Sequence, residues 1–269
     1  RRPDDLAVLI CFLLPSVVVV AYFFLYPVIF LFGSSLGGWT SPSLANYAAI
    51  LEHARYSRSV VNTIALSLGV TVVTMVIALA LALFLARARI WGRPLLIALI
   101  NFPLAFPGVV VGFMIIILFG HTGILASVTQ AVLGQKVSFA YTLAGLFVAY
   151  LYFSIPRATV TVLASVEGLD RSLEDAARSL GASPAQVAFY VMAPALVPAL
   201  TAGSALTFAT SMGAFGTAFT IAQQFEVLPM LVYTELTLAF NIGMASALAC
   251  VLGVITFGML SLYRFVGSE

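Results

Sequence analysis

Charge is the scarcest property of this chain. Asp, Glu, Lys and Arg make up only 8% of its 269 residues, hydrophobic residues make up 62%, and the mean hydropathy is +1.12. A soluble domain carries about 25% charged residues. This chain therefore cannot cover a water-facing surface of its size, and the bilayer must be its main solvent. The single lysine is Lys136, and no Gly-x-x-x-x-Gly-Lys-Ser/Thr loop occurs, which excludes ATP hydrolysis by that route. No basic run suggests nucleic acid. The two histidines, His53 and His121, are far apart and read as solvated loop residues, with no metal-ligand or nucleophile–base spacing around them. Cys11 and Cys250 both lie in apolar segments and read as buried small hydrophobes rather than a disulfide framework.

Apolar length is what the sequence does have. A spanning helix needs roughly 20 mostly apolar residues. Six stretches qualify: 6–32, 60–86, 95–119, 139–154, 195–212 and 238–265, the fourth being the shortest. The alternation of barrel strands is absent, so the expected fold is an all-α integral membrane protein, a six-helix transmembrane bundle forming a single domain over 1–269. The first stretch is too long for a signal peptide and lacks a small-x-small cleavage site after it. The abrupt Arg1-Arg2 opening suggests a short tail before it. Six spans put both termini on one side. With that side cytoplasmic, it holds Arg1, Arg2, Arg87, Arg89, Arg93, Arg157, Arg171, Arg178 and Arg264, while Arg55, Arg58 and Lys136 lie outside. This bias places both termini in the cytoplasm. The Arg87, Arg89 and Arg93 cluster reads as a topology signal touching phospholipid, with a direct role in transport as the lesser reading.

The longest cytoplasmic interruption runs over 157–194 and holds Glu167, Asp170, Arg171, Glu174, Asp175 and Arg178. Ser172 can cap a helix, with Asp175 completing a weaker capping box. Leu173, Ala176, Ala177 and Leu180 then form one apolar stripe, off which Glu174, Asp175 and Arg178 lie. Gly181 stands where a left-handed glycine ends a helix, and Ser183-Pro184 reads as the cap and first residue of the next. The pattern predicts a short surface helix–turn–helix that exposes small residues. Such a helix either docks a partner or lies on lipid; its acidic balance leans away from lipid.

At this loop a resemblance is specific. Asp175-Ala176-Ala177, three residues, Gly181, nine residues and Val191-Met192-Ala193-Pro194 resemble the EAA loop of ABC importer permeases: Glu-Ala-Ala, three residues, Gly, nine residues, Ile-x-Leu-Pro. Asp, Val and Ala here replace Glu, Ile and Leu. The resemblance implies the type I importer fold in a bacterial inner (plasma) membrane, and a coupling helix, with Glu174, Asp175, Ala176, Ala177, Arg178, Gly181 and Pro194, that inserts into a cytoplasmic ATPase. It implies as partners a dimer of ATP-binding subunits, a second permease and an extracytoplasmic solute-binding protein. ATP and magnesium would then be bound by the partner ATPase and no cofactor by this chain, which is a transport subunit rather than an enzyme.

For the translocation path the candidates are local irregularities. Pro103 and Pro107 beside Asn101 should break the third span, either lining a cavity with freed carbonyls or merely kinking it. Gly213, Phe215 and Gly216 could form a constriction, and the resemblance puts this segment near the external gate. Its Gly-Ala-Phe-Gly resembles permeases for polyamine-like compounds first, then aminoalkylphosphonates or ferric iron, and the polyamine likeness favours an unlike second permease. Glu226 and Glu235 read as solvated loop charges, docking contacts, or attractants for a cation. Tyr233, with Asn62, Gln223, Gln224 and Asn241, completes the polar candidates. No charge is expected deep in a span, and no internal repeat is visible. Both argue against the alternative of a secondary transporter.

Overall fold

The computed structural model describes residues 3–87, 91–222 and 225–266. Arg1, Arg2, Arg89, Gln223 and Gln224 lie outside the described residues. Among the described residues there is no strand. Helix α1 (Pro3–Val20) passes through a wide π-type stretch, Ala21–Leu25, into α2 (Tyr26–Ser35). Then come α3 (Ala45–Glu52), the long α4 (Ala54–Arg87), α5 (Arg93–Asn101), a 3-10 turn Phe102–Ala105, α6 (Gly108–Phe119), α7 (Ile124–Leu133) and α8 (Leu143–Gly168). The chain continues with α9 (Arg171–Ser179), α10 (Pro184–Gln186), a second π-type stretch Val187–Met192, α11 (Ala193–Met212), α12 (Phe215–Ile221), α13 (Leu228–Thr237) and α14 (Ile242–Val266). Among the described residues, six helical stretches are long and apolar enough to cross a membrane: Phe12–Ser35, Ala54–Arg87, Gly108–Leu133, Leu143–Gly168, Pro184–Met212 and Ile242–Phe265.

The third span is broken where its prolines stand. Pro103 sits in the 3-10 turn, and Phe106 and Pro107 are extended before α6 starts. The fourth span corrects the sequence reading. It starts where the Thr142 hydroxyl accepts the Gly145 N–H at 3.4 Å, carries Pro156 in its interior, and ends at Gly168, far beyond residue 154. The cytoplasmic interruption therefore covers only 169–183, because the fifth span already begins at Pro184. The error has a physical origin. Ser154, Arg157, Thr159 and Thr161 dilute the hydropathy of this stretch, but a helix whose polar side chains face protein or a cavity need not be apolar throughout. Arg157 consequently lies inside a spanning helix, contrary to the expectation that no charge would.

The chain divides into two compact units, Arg1–Ser57 with Leu231–Gly253, and Arg58–Met230 with Val254–Glu269. In the second, one core joins Val70, Val111, Ile115, Leu146, Tyr150 and Ile221. Another joins Leu85, Val162, Val166, Val187 and Leu196. Helices meet closely on small residues, as spans do where lipid offers no hydrophobic drive. Ala78 and Ala158 are both buried in one cluster with Met75. A Cβ on Gly112 of α6 would overlap the Thr220 hydroxyl of α12. Some buried hydroxyls are paired, while those of Ser59, Ser67, Thr74, Ser154 and Ser211 have no hydrogen-bond partner among the described residues. Thr63 donates to the Ser59 carbonyl at 2.7 Å and accepts the Leu228 N–H at 2.8 Å. In the first unit the Tyr47 hydroxyl pairs with Ser35 at 2.7 Å, and the Asn46 amide donates to the Ser35 carbonyl at 2.9 Å.

Candidate functional site

The segment between α8 and α10 is held by backbone chemistry at both ends. Asp170, rather than Ser172, caps α9: its carboxylate accepts the Ser172 N–H at 2.9 Å, which holds its pKa below the ordinary Asp value. The register shift puts Ser172 inside the helix and leaves Asp175 without the capping role the sequence suggested. At the other end Gly181 has φ +85°, in the left-handed region. Its N–H donates to the Arg178 carbonyl at 2.9 Å, and the Ala182 N–H donates to Ala177 at 3.1 Å, a Schellman closure. Ser183 and Gln186 then form a reciprocal capping box, at 3.3 and 2.8 Å, with Pro184 in the first turn. Helix–turn–helix thus follows from local residues, though the second helix runs on through 187–192 into the fifth span.

The faces of α9 are sorted against the usual sense. Glu174 is buried and paired with Arg87 at the end of α4. Arg93 at the start of α5 pairs with Glu167 near the end of α8, and its Nε donates to the Leu85 carbonyl at 2.8 Å. Arg171 donates to the Ala86 carbonyl at 3.4 Å. Two basic residues that the sequence offered as topology signals therefore tether this segment. Ala177 packs half-buried against the core that contains Val166 and Val187. The apolar stripe faces out instead: Leu180 is 90% exposed and Leu173 54%, with Ala176 exposed between them. Asp175 and Arg178 flank it, also exposed. Beyond Gly181 lies an open groove of about 320 Å³ lined by Leu180, Ala182, Gln186, Tyr190 and Val191. Pro194 sits in the first turn of α11, exposed.

The path candidates separate into two groups. In the second unit, Asn101 ends α5 half-buried, Pro103 is also half-buried in the turn that follows, and Pro107 directly precedes α6. Gly213 ends α11 and Phe215 begins α12, its ring 5.3 Å from that of Phe219. Gly216 packs directly on the start of α6, where a Cβ would stand 3.2 Å from Val109 Cγ2, and the Thr217 hydroxyl donates to the Gly108 carbonyl at 3.0 Å. The broken third span and the Gly213–Gly216 segment are thereby brought together around a cavity of about 230 Å³. Phe106, Gly108, Thr210, Gly216 and Thr217 line it, and so does Arg157 of α8. In the first unit, Tyr233 and Glu235 lie in α13, which the sequence reading took for a loop. Glu235 is only 4% exposed; it accepts the Tyr56 hydroxyl at 3.0 Å and lies 3.5 Å from the Arg55 guanidinium. It is a buried, paired structural carboxylate rather than a solvated attractant. Asn62 donates to the Glu226 carbonyl at 3.3 Å, and the Asn241 side chain accepts the Met244 N–H at 3.1 Å.

Sequence reasoning missed Arg157, Thr210 and Thr217. A signal for Arg157 existed: the residues from 143 to 168 read as one helix if Pro156 is allowed inside it. Among the described residues no group of His, Cys, Asp and Glu could hold a metal ion.

Comparison with known proteins places these features in context. Residues 75–268 match the family described as binding-protein-dependent transport system inner membrane component. The molybdenum transport system permease protein ModB of Haemophilus influenzae is 32% identical over 182 residues, covering 65% of this chain and 79% of that protein. The putative 2-aminoethylphosphonate transport system permease protein PhnU of Salmonella typhimurium is 26% identical over 270 residues, covering 98% and 94%. The sulfate transport system permease protein CysT of the same organism is 37% identical over 172 residues, covering 62% and 61%. In fold, the chain is similar to a chain of a bacterial alginate ABC transporter, with TM-score 0.85, 15% identity and coverage of 97% and 93%.

Proposed function

The chain belongs to the binding-protein-dependent transport system inner membrane components, and on that premise we propose how it works: as one permease half whose α9–α10 segment couples transport to a separate ATPase. It is a multi-pass inner-membrane subunit of an ABC importer, and its role is transport rather than catalysis. The observation that carries the coupling role is the outward apolar stripe on α9 beside the Gly181 turn and its groove. An exposed leucine stripe on a helix anchored from behind by an Arg87–Glu174 ion pair is built to be covered by protein. Leu173, Ala176, Leu180 and the groove up to Val191 are the docking face, with Asp175 and Arg178 as its polar rim. Glu174 acts from behind, fixing the helix to α4.

ATP and magnesium are held by a dimer of ATP-binding subunits on the cytoplasmic side, where both termini of this chain also lie. A second permease, related but not identical, completes the path, and an extracytoplasmic binding protein delivers the solute. Closure of the ATPase dimer pulls the α9 segments together, and the two permease halves rock between inward and outward openings. The substrate is a small polar solute. Of the classes that the Gly213–Gly216 segment suggests, an aminoalkylphosphonate ranks before a polyamine-like cation or ferric iron; the names of relatives add a similar oxyanion that the segment itself does not suggest. The relative whose alignment spans nearly the whole chain is named for 2-aminoethylphosphonate, and others are named for sulfate and molybdenum.

Affinity purification from native membranes in mild detergent tests this. A nucleotide-binding ATPase and a second permease should come down in stoichiometric amounts, and a cysteine at position 180 should crosslink to the ATPase. A chain that runs alone, even after crosslinking, overturns the proposal.

A further inference from the structure

We propose that Arg157 forms an anion subsite within the membrane-spanning part of this permease, on the path of an oxyanionic substrate. The inference rests on the permease reading above and adds to it a residue and a charge. Arg157 is the fifteenth of the 26 residues of α8, a stretch long and apolar enough to cross the membrane. Its side chain is exposed, and among the described residues no carboxylate pairs with it. An uncompensated guanidinium at such a position is costly against lipid, so it faces a water-filled cavity or a partner. The cavity is present: Arg157 lines the roughly 230 Å³ space at the junction of the broken third span and α12.

The other groups around this cavity leave the guanidinium as its principal donor. The Thr217 hydroxyl gives its proton to the Gly108 carbonyl at 3.0 Å, and the Thr210 hydroxyl gives its own to Leu206 or Thr207 at 2.9 or 3.0 Å. Gly108 contributes the first turn of α6, a 12-residue helix whose N-terminal end adds partial positive charge on the same side. Phe106 and Phe153 make the remaining wall apolar, which strengthens any charge interaction inside. Among the described residues, no acidic one lines the space. A cation entering it would meet repulsion and no acceptor of opposite charge, whereas the planar fork of an arginine matches the paired oxygens of a sulfate, molybdate or phosphonate.

Two measurements on the whole importer, chain plus co-purified partners, test this. The first is independent of the substrate. Arg157→Cys, in a background with Cys11 and Cys250 replaced by serine, should react with the water-soluble anionic reagent 2-sulfonatoethyl methanethiosulfonate, and ATP should change the rate. No reaction in any nucleotide state places residue 157 off the path and overturns the proposal. The second uses proteoliposomes and labelled sulfate, molybdate, 2-aminoethylphosphonate and spermidine, each with the cognate binding protein. Wild type should take up one of the anions. Arg157→Gln should lower that uptake at least about tenfold, the worth of a lost charge-assisted contact, while ATP hydrolysis persists. Arg157→Lys should retain an intermediate rate. Anion uptake unchanged in Arg157→Gln, or wild-type uptake of spermidine only, overturns the anion subsite and leaves the permease reading intact. ATP-dependent uptake of none of the four overturns the anion subsite, whereas the permease reading falls only if no ATPase co-purifies with the chain.

Discussion

Gly181 offers the sharpest test of the coupling segment, because its role separates into backbone and side-chain parts. The residue has φ +85°, and a Cβ built there would meet nothing within 4 Å. Steric clash is therefore excluded within the chain, and any effect of substitution comes from the left-handed backbone. An ordinary L-residue in that conformation costs about 1–2 kcal/mol, or roughly a 5- to 30-fold loss in the population of the correct turn. Asparagine tolerates it better, and a β-branched residue worse. The expected order of damage is thus Asn, then Ala, then Val. The turn sets where α9 ends and where the Ser183 cap begins, so a distorted turn displaces the docking stripe. The assay is uptake per ATP hydrolysed by the reconstituted importer. Gly181→Asn should stay within a few-fold of wild type, Gly181→Ala should fall about fivefold or more, and Gly181→Val should fall furthest while the protein still inserts and ATP is still hydrolysed. Normal coupling in Gly181→Val refutes the reasoning. So does Gly181→Asn failing as badly as Gly181→Val, since that pattern belongs to a side-chain clash with the partner and not to the turn.

Other perturbations read out the supports of the same regions. Glu174→Ala strands Arg87, which keeps 24% of its side chain in solvent; breaking this half-buried pair should cost on the order of 1–3 kcal/mol, less than a fully buried one. Faster amide exchange across Arg171–Ser179 would show it, and unchanged exchange would mean that the pair does not hold α9. Gly112→Ala forces α6 away from Thr220 and should lower stability by about 1–3 kcal/mol, with partial recovery in Gly112→Ala/Thr220→Ala; a melting temperature equal to wild type would show that the helices can part without cost. The Asp170 cap is pH-dependent with a defined sign. Its pKa is lowered in the folded state, so its contribution is present above the ordinary Asp value of about 3.9 and is lost as pH falls through the lowered value. Protection at Ser172, taken at each pH relative to the intrinsic exchange rate, should therefore fall on acidification in the wild type and be low at every pH in Asp170→Ala; wild-type protection that does not change with pH would argue against the cap.

Features written in neighbouring residues were legible in the sequence, and features joined across the chain were not. Gly181, Ser183-Pro184 and the double proline of the third span each act on their own backbone, and each does locally what its residue type dictates. The extent of α8 was misjudged because hydropathy measures lipid exposure. Ser154, Arg157 and Thr159 belong to a helix that turns these groups toward protein or a cavity. Glu235 and Arg55 are 180 residues apart, and nothing at either position announces that they meet. The same holds for Glu174. Its place off the apolar stripe gave no sign of Arg87 on another helix, which pairs with it and holds it buried. The stripe of Leu173, Ala176 and Leu180 lies exposed, as expected of a surface helix, while Ala177 of the same pattern turns half-buried toward the core.

Pro156 gives α8 a property that bears on how the subunit moves. Its ring nitrogen cannot donate to the Tyr152 carbonyl, so the helix has one missing rung there, the usual place for a helix to bend. Arg157 is the next residue, at the fulcrum, and the arm from there to Gly168 is 11 residues, roughly 16 Å. A tilt of about 10° of that arm would carry its loop end by about 3 Å but would scarcely translate Arg157. What would change at the fulcrum is the heading of the guanidinium. A stroke delivered at the α9 end would thus arrive at the cavity as a turn of the charge rather than a shift of its position.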